Sequence, residues 1–280
     1  MPEETPNPSY TSSIPQQLPE KQENLFREVL SVLEEKAVPF AVSGAFALRQ
    51  HTGISRFTKD LDLFLSPSEV PNALAQLREH GFHCEMVDPV WLAKAHRDEF
   101  FVDLITGMSN ALLTVDQSWI DRAQPAMIVG IRTRVLAPEE LLASKLFVIR
   151  RERFDGADVA HLLLACAETL DWKRLLRRLG PNWRVLLAQL VMFGFIYPGE
   201  RERIPGWVMQ DLIRRLQASM SASPPQRRLC RGTLLSRQQY LIDVEQWGYL
   251  DARALEDNPM SEEDIATWTA AIAEDGSKET

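Results

Sequence analysis

Apolar positions change their period twice along this chain. Between Glu23 and Lys36, the residues Phe26, Val29, Leu30 and Leu33 recur at helical spacing, and Pro39 ends the run. Phe40–Val42 is a short apolar strand, and Ser43-Gly44 turns it into a second helix from Ala45 to about His51. Thr52–Lys59 is polar and contains Gly53, which predicts a loop. Leu61, Leu63 and Leu65 then alternate with Asp60, Asp62 and Phe64, a period of two that predicts a strand. A helix follows over Pro67–His80, with Val70, Leu74 and Leu77 inward. Strands are expected over Phe82–Val87 and Phe100–Ile105, and a hairpin over Ala126–Val129 and Arg132–Leu136 around Gly130. From Pro138 the pattern is helical almost to the end, with breaks near Gly156, Gly180-Pro181, Pro198-Gly199, Ser219–Pro225 and Asn258-Pro259.

The expected architecture is α+β: a small mixed sheet with helices on one face, followed by a helical C-terminal domain. Residues 1–22, rich in Pro, Ser, Gln and Glu without periodicity, read as a disordered tail. Residues 23–137 form the α/β core and residues 138–280 the helical domain. Composition fits a globular chain, with 45% hydrophobic and 25% charged residues. Cys84, Cys166 and Cys230 are far apart in the sequence and match no CxxC pattern, which argues against zinc and disulfides and for a reducing, cytoplasmic setting. No basic segment leads into an apolar one at the start, so no signal peptide is expected. The apolar run near Val185–Tyr197 contains Gln189 and is too short for a bilayer, so a buried helix and no membrane association are expected.

Net charge is -8, which disfavours indiscriminate nucleic-acid binding. The charge is unevenly spread: Lys145 to Arg237 holds 17 Lys and Arg against 8 Asp and Glu. That basic stretch either attracts a phosphate-rich partner or is a set of solvated helix faces.

Asp60-Leu61-Asp62 carries the strongest chemical signal. On a strand the two aspartates point to one face, side by side, and their charges repel unless a cation lies between them. Mg²⁺ is the natural partner of such hard oxygen ligands. Asp103 sits in the middle of the apolar strand Phe100–Ile105, where a lone carboxylate needs an arginine or a shared metal. Three carboxylates on neighbouring strands can hold two metal ions about 3.5–4 Å apart, the apparatus for in-line attack at phosphorus. Upstream, Ser43-Gly44 lies between a strand and a helix, where backbone N–H groups and the helix dipole favour an anion. Arg56, Thr58 and Lys59 directly precede the first aspartate; a cation there either contacts triphosphate oxygens or is a surface charge.

Taken together, Val42-Ser43-Gly44-Ala45-Phe46-Ala47, Arg56-x-Thr58-Lys59-Asp60-Leu61-Asp62-Leu63-Phe64 and the isolated Asp103 resemble the polymerase-β-like nucleotidyltransferase superfamily. The segment from Pro138 through Lys145 and Arg150–Arg153 to Asp155-Gly156-Ala157-Asp158 is similar to the helical Lys…Arg…Asp-x-x-Asp segment of its bacterial members. Those members include aminoglycoside-modifying and abortive-infection toxin branches. The resemblance covers about residues 25–165. It implies an enzyme that binds Mg²⁺ and a nucleoside triphosphate and transfers the monophosphate to a hydroxyl, releasing pyrophosphate. Asp60, Asp62 and Asp103 would be catalytic and metal-binding, with two ions. Ser43, Gly44, Arg56, Thr58, Lys59, Lys145 and Asp158 would serve the nucleotide.

Ala45 departs from the pattern, because the family usually has Gly or Ser there. That departure motivates the alternative of a non-catalytic nucleotide-binding or regulatory protein on the same fold. The acceptor stays open among a small molecule, a protein side chain and an RNA 3′ end. Lys145, Ile149, Glu152 and Asp155 would share one face if their helix ran unbroken, whereas a break at Gly156 would make Asp155 a cap. Trp172, Trp183, Trp207 and Trp247 are expected in the core.

Overall fold

The computed structural model describes residues 18–223, 226–236, 238–255 and the positions 261, 263, 265 and 266. The tail expected over residues 1–17, the break at Asn258-Pro259 and the end of the chain lie outside the described residues. Helix α1 (Glu20–Glu35) begins earlier than its apolar period predicts, so Glu20, Lys21 and Gln22 belong to a helix and not to the tail. Pro19 precedes it, and Glu20 and Glu23 place negative charge at its positive end. Gln22 is buried and donates from Nε2 to Thr58 O at 3.1 Å. Phe26, Val29, Leu30 and Leu33 are fully buried. Each such side chain contributes about 1.5–3 kcal/mol, so packing of this face fixes the helix.

The elements that follow are β1 (Ala41–Val42), α2 (Gly44–Thr52), β2 (Asp60–Phe64), α3 (Val70–Glu79), β3 (His83–Asp88), β4 (Leu92–Arg97) and β5 (Phe100–Ile105). Next come α4 (Gln117–Asp121), β6 (Gln124–Ile128) and β7 (Ile131–Val135). The seven strands make one mixed sheet in the order β3-β4-β5-β2-β1-β7-β6. The pairs β2/β5 and β1/β7 are parallel and the others antiparallel. Helices α1 and α3 pack on each other and against this sheet.

Strand β4 escapes the sequence pattern. Its inward positions Ala93 and Ala95 are small, while Lys94, His96 and Arg97 give it a polar appearance. The parallel register of β2 and β5 sets Asp62 opposite Asp103. A slip of one residue would turn every carboxylate to the other face and expose Leu61 and Leu63, so burial of those leucines locks the register.

The second half is mainly helical: α5 (Pro138–Leu146), α6 (Gly156–Cys166), α7 (Trp172–Leu179), α8 (Trp183–Ile196) and α9 (Gly206–Ser221). One apolar cluster runs without interruption from Leu25 on α1 to Leu212 on α9. The stretch Trp172–Ile196 is long and apolar, but Gly180 (φ 48°) and Pro181 break it into two helices. Leu186, Leu190 and Phe193 of α8 are buried in the cluster.

Beyond α9 the chain departs from the expected helical run. It forms a short parallel pair, β8 (Leu229–Cys230) with β9 (Leu250–Asp251), around a 3-10 turn at Gly232–Leu234 and a short helix α10 (Leu241–Glu245). The reason is a buried polar knot. Arg253, 1% exposed, pairs with Asp251, which also accepts from Thr233 Oγ1 at 2.8 Å. Trp172 and Trp183 are core residues as expected, whereas Trp207 and Trp247 are 44% and 55% exposed.

Candidate active site

Alternation along β2 puts Asp60 and Asp62 on one face and the buried Leu61 and Leu63 on the other. Asp103 joins them from β5, and one ligand oxygen from each of the three lies within 4.8 Å of the others. Thr58 Oγ1 donates to Asp60 Oδ1 at 2.8 Å, so a residue two positions before the strand aims the first carboxylate. Burial raises the Asp62 carboxyl to about 7, and the charges of Asp60 and Asp103 add to that rise. Asp103 is also raised by burial, against the opposing hydrogen bond and charge of Lys94. Lys94 Nζ lies 2.6 Å from Asp103 Oδ1. Three hard oxygen donors this close, with one carboxyl pushed toward neutrality, fit a divalent metal ion.

The β1–α2 turn is welded to this cluster. Ser43 N–H donates to Asp62 O at 2.8 Å. Gly44 has a left-handed φ of 57°, and a Cβ there would come within 1.8 Å of Asp62 Oδ2. The glycine is thus required by the second aspartate, a demand that the Ser-Gly spacing alone does not announce. Ser43 has extended backbone and its hydroxyl makes no cap to its own helix, so that hydroxyl is free to face the cavity. Ala45 lies in the first turn of α2.

The cavity is lined by Ser43, Gly44, all three aspartates and Lys145. Arg56, Thr58, Lys59 and Asp158 do not line it, but Thr58 and Asp158 are bonded to residues that do, and Arg56 is bonded to Asp158. Thr58 holds Asp60. Lys145 Nζ donates to Asp155 Oδ2 at 2.9 Å and to Asp158 Oδ2 at 2.6 Å, and Asp158 Oδ1 takes Arg56 Nη1 at 2.7 Å. Lys59 is exposed.

The unbroken helix from Lys145 to Asp155 does not exist. Helix α5 stops at Leu146, the chain turns through a single Ile149–Phe154 bridge, and Asp155 precedes α6. Asp155 makes no capping bond; its side chain goes to Lys145 and Arg153. Burial works against its charge, but the Arg153 hydrogen bonds and the Lys145 and Arg153 charges bring this carboxyl below its usual range.

Several lining residues have no sequence signal. Beyond the carboxylates the wall becomes apolar, with Trp91, Ile105, Met108, Leu234 and Leu235. The 3-10 turn at Gly232–Leu234 reaches this wall from far along the chain. It is pinned by a 2.8 Å hydrogen bond from Asn110 Nδ2 to Leu234 O. Arg150 and Arg153 also face the cavity, and Arg150 Nε is buried without a partner among the described residues.

A mixed sheet presenting a Ser-Gly turn, two spaced aspartates and a third beside them defines a nucleotidyltransferase. The chain belongs to the family described as nucleotidyl transferase of unknown function (DUF2204), whose model matches residues 22–174. No curated protein matches the sequence. Among solved structures, the antibiotic-resistance factor ANT(2'')-Ia is similar over 61% of this chain and 96% of its own, at 18% identity and a TM-score of 0.42. The lincosamide antibiotic adenylyltransferase LnuA is similar over 52% and 96%, at 16% identity and a TM-score of 0.35. An antigenic nucleotidyltransferase-like protein from Paracoccidioides brasiliensis is similar over 66% and 93%, at 15% identity and a TM-score of 0.43.

Proposed function

We propose that this protein transfers a nucleoside monophosphate from a Mg²⁺-bound nucleoside triphosphate to the hydroxyl of a small acceptor. The observation that carries the reading is the convergence of Asp60, Asp62 and Asp103, with ligand oxygens within 4.8 Å in one cavity. A divalent ion held there would supply charge neutralisation at the phosphoryl group. The sequence pattern alone leaves room for two such ions.

The chain's own groups set the rest. The triphosphate meets the Ser43-Gly44 turn at the start of α2, where the helix dipole and the uncommitted Ser43 hydroxyl favour anionic oxygens. Arg150 and Arg153 face the same space and add positive charge. Lys145 sits in the wall, where Asp155 and Asp158 fix its ammonium and Arg56 holds Asp158 from behind. Asp103 accepts the proton of the acceptor hydroxyl as its oxygen bonds to the α-phosphorus. The bond from that phosphorus to the bridging oxygen breaks, and pyrophosphate leaves with the electron pair. Because these groups position and neutralise, catalysis is largely electrostatic.

Two observations favour a small acceptor over an RNA end or a protein. The cavity beyond Asp103 is apolar, with Trp91, Ile105 and Met108, and the Gly232–Leu234 turn closes one side of it. Independently of the acceptor, the three free thiols suit a reducing compartment.

The test is calorimetric titration of each of the four NTPs with Mg²⁺ into the wild-type protein and into Asp60→Ala and Asp62→Ala. Mg²⁺-dependent binding that vanishes in both variants, followed by turnover lost at least about a hundredfold, is the expected result. Turnover retained in Asp60→Ala would sink the reading. Nucleotide binding without consumption would favour a regulatory protein, the role that Ala45 invites.

A further inference from the structure

The third aspartate differs from the other two in already having a cation. Lys94 stands directly opposite Asp103 in the β4–β5 register, and its Nζ lies 2.6 Å from Asp103 Oδ1. The same ammonium rests 4.0 Å from the centroid of Phe101, which lies two residues before Asp103 on the same strand face. It is therefore held on two sides. The two side chains are only 25% and 13% exposed, so water screens the pair weakly. A single cross-strand row runs Asp62, Asp103, Lys94 over β2, β5 and β4.

This row bears on how many ions the site takes. An ion shared by all three aspartates would share Asp103 with an ammonium already at hydrogen-bonding distance, and two cations on one carboxylate repel. Before nucleotide binds, the three carboxylate charges are balanced by one divalent ion and one ammonium, and Asp103 offers no uncompensated charge to a second ion. Asp60 and Asp62, neighbours on β2 with no lysine or arginine bonded to them among the described residues, are where the single ion belongs.

We propose that Lys94 is a built-in cation standing where a second metal ion would otherwise bind at Asp103. One divalent ion is held by Asp60 and Asp62, and Lys94 fixes Asp103 toward the acceptor hydroxyl. Lys94 is then a positioning residue, acting through Asp103. This inference rests on the nucleotidyl-transfer reading above.

The experiment counts Mn²⁺ bound to the full chain by electron paramagnetic resonance, with Mn²⁺ alone and with α,β-methylene-ATP. The variants are Lys94→Met, Lys94→Gln and Lys94→Arg, each checked for a native thermal melt. The expected result is one Mn²⁺ per chain in the wild type and in Lys94→Arg. In Lys94→Met and Lys94→Gln a second Mn²⁺ should appear, with spin coupling between the two. Turnover in Lys94→Met should fall about a hundredfold at low Mn²⁺ and recover about tenfold at high Mn²⁺, as a second ion takes over at Asp103. Two coupled ions in the wild type would overturn the inference, and so would a single ion in both folded neutral variants. No bound Mn²⁺ in the wild type would instead overturn the nucleotidyl-transfer reading itself. Should Lys94→Met fail to fold, Lys94→Gln and Lys94→Arg carry the same comparison.

Discussion

Two groups of aspartates meet at the cavity, one in its floor and one at and behind its wall, and they are balanced in opposite ways. Asp155 and Asp158 share the buried Lys145, and each has an arginine as well, Arg153 for the first and Arg56 for the second. Asp60, Asp62 and Asp103 have one ammonium among three, from Lys94. The carboxyl of Asp155 accordingly lies below its usual range and that of Asp62 is raised to about 7. A saturated acid cluster is architecture that fixes where α5 ends and α6 begins. An undersaturated one stores a demand for a cation, which makes it the candidate for ligand chemistry.

The largest expected effect breaks the saturated cluster. Lys145→Met removes the shared cation and leaves each buried carboxylate only its arginine, which should cost about 3 kcal/mol in chemical denaturation. A loss under about 1 kcal/mol would mean that the pair is not the structural anchor it looks like.

A smaller effect of opposite sign is expected at the undersaturated cluster. The folded chain holds a proton on Asp62 that the unfolded chain releases near pH 4. Its contribution to stability is therefore full below about pH 4 and is lost as pH rises through about 7. Asp62→Asn should remove that loss. With chelator present, the variant should be more stable than wild type by a margin that grows from pH 5 to about 7.5, and Mg²⁺ should narrow the margin. Parallel pH profiles would refute the account.

The smallest effect sharpens the comparison. Thr58→Val removes the hydroxyl shared between Asp60 Oδ1 and Asp60 O and should cost about 0.5–1.5 kcal/mol in stability. Turnover should fall more than nucleotide affinity does, and equal losses in both would mean that Thr58 does not aim the carboxylate.

The legible parts of this molecule were those with a period or a close spacing. Asp60 and Asp62 alternate with buried leucines, and Asp103 interrupts an apolar strand, so the triad could be read before the fold was known. Lys94 could not, because β4 buries alanines rather than large residues and so shows no strong alternation. Asp155 was readable as the start of a helix. Its bond to Lys145 was not, since it depends on α5 stopping at Leu146 with no proline or glycine to announce it. Thr233 and Leu234 reach the cavity through contacts with Asp251 and Asn110, a long-range arrangement that leaves no local pattern.

The turn at Gly232–Leu234 also has a consequence in time. Chains are made from the N-terminus, and domains fold as they emerge. The Ser43 turn, the three aspartates and Lys145 are all synthesised before that turn and before Asp251, which pins it through Thr233. A nascent chain thus carries its acidic centre as a shallower basin, and the last wall of the cleft is completed by some of the last described residues to be added. A fragment ending before residue 229 should keep the carboxylates and lose one wall of the cleft.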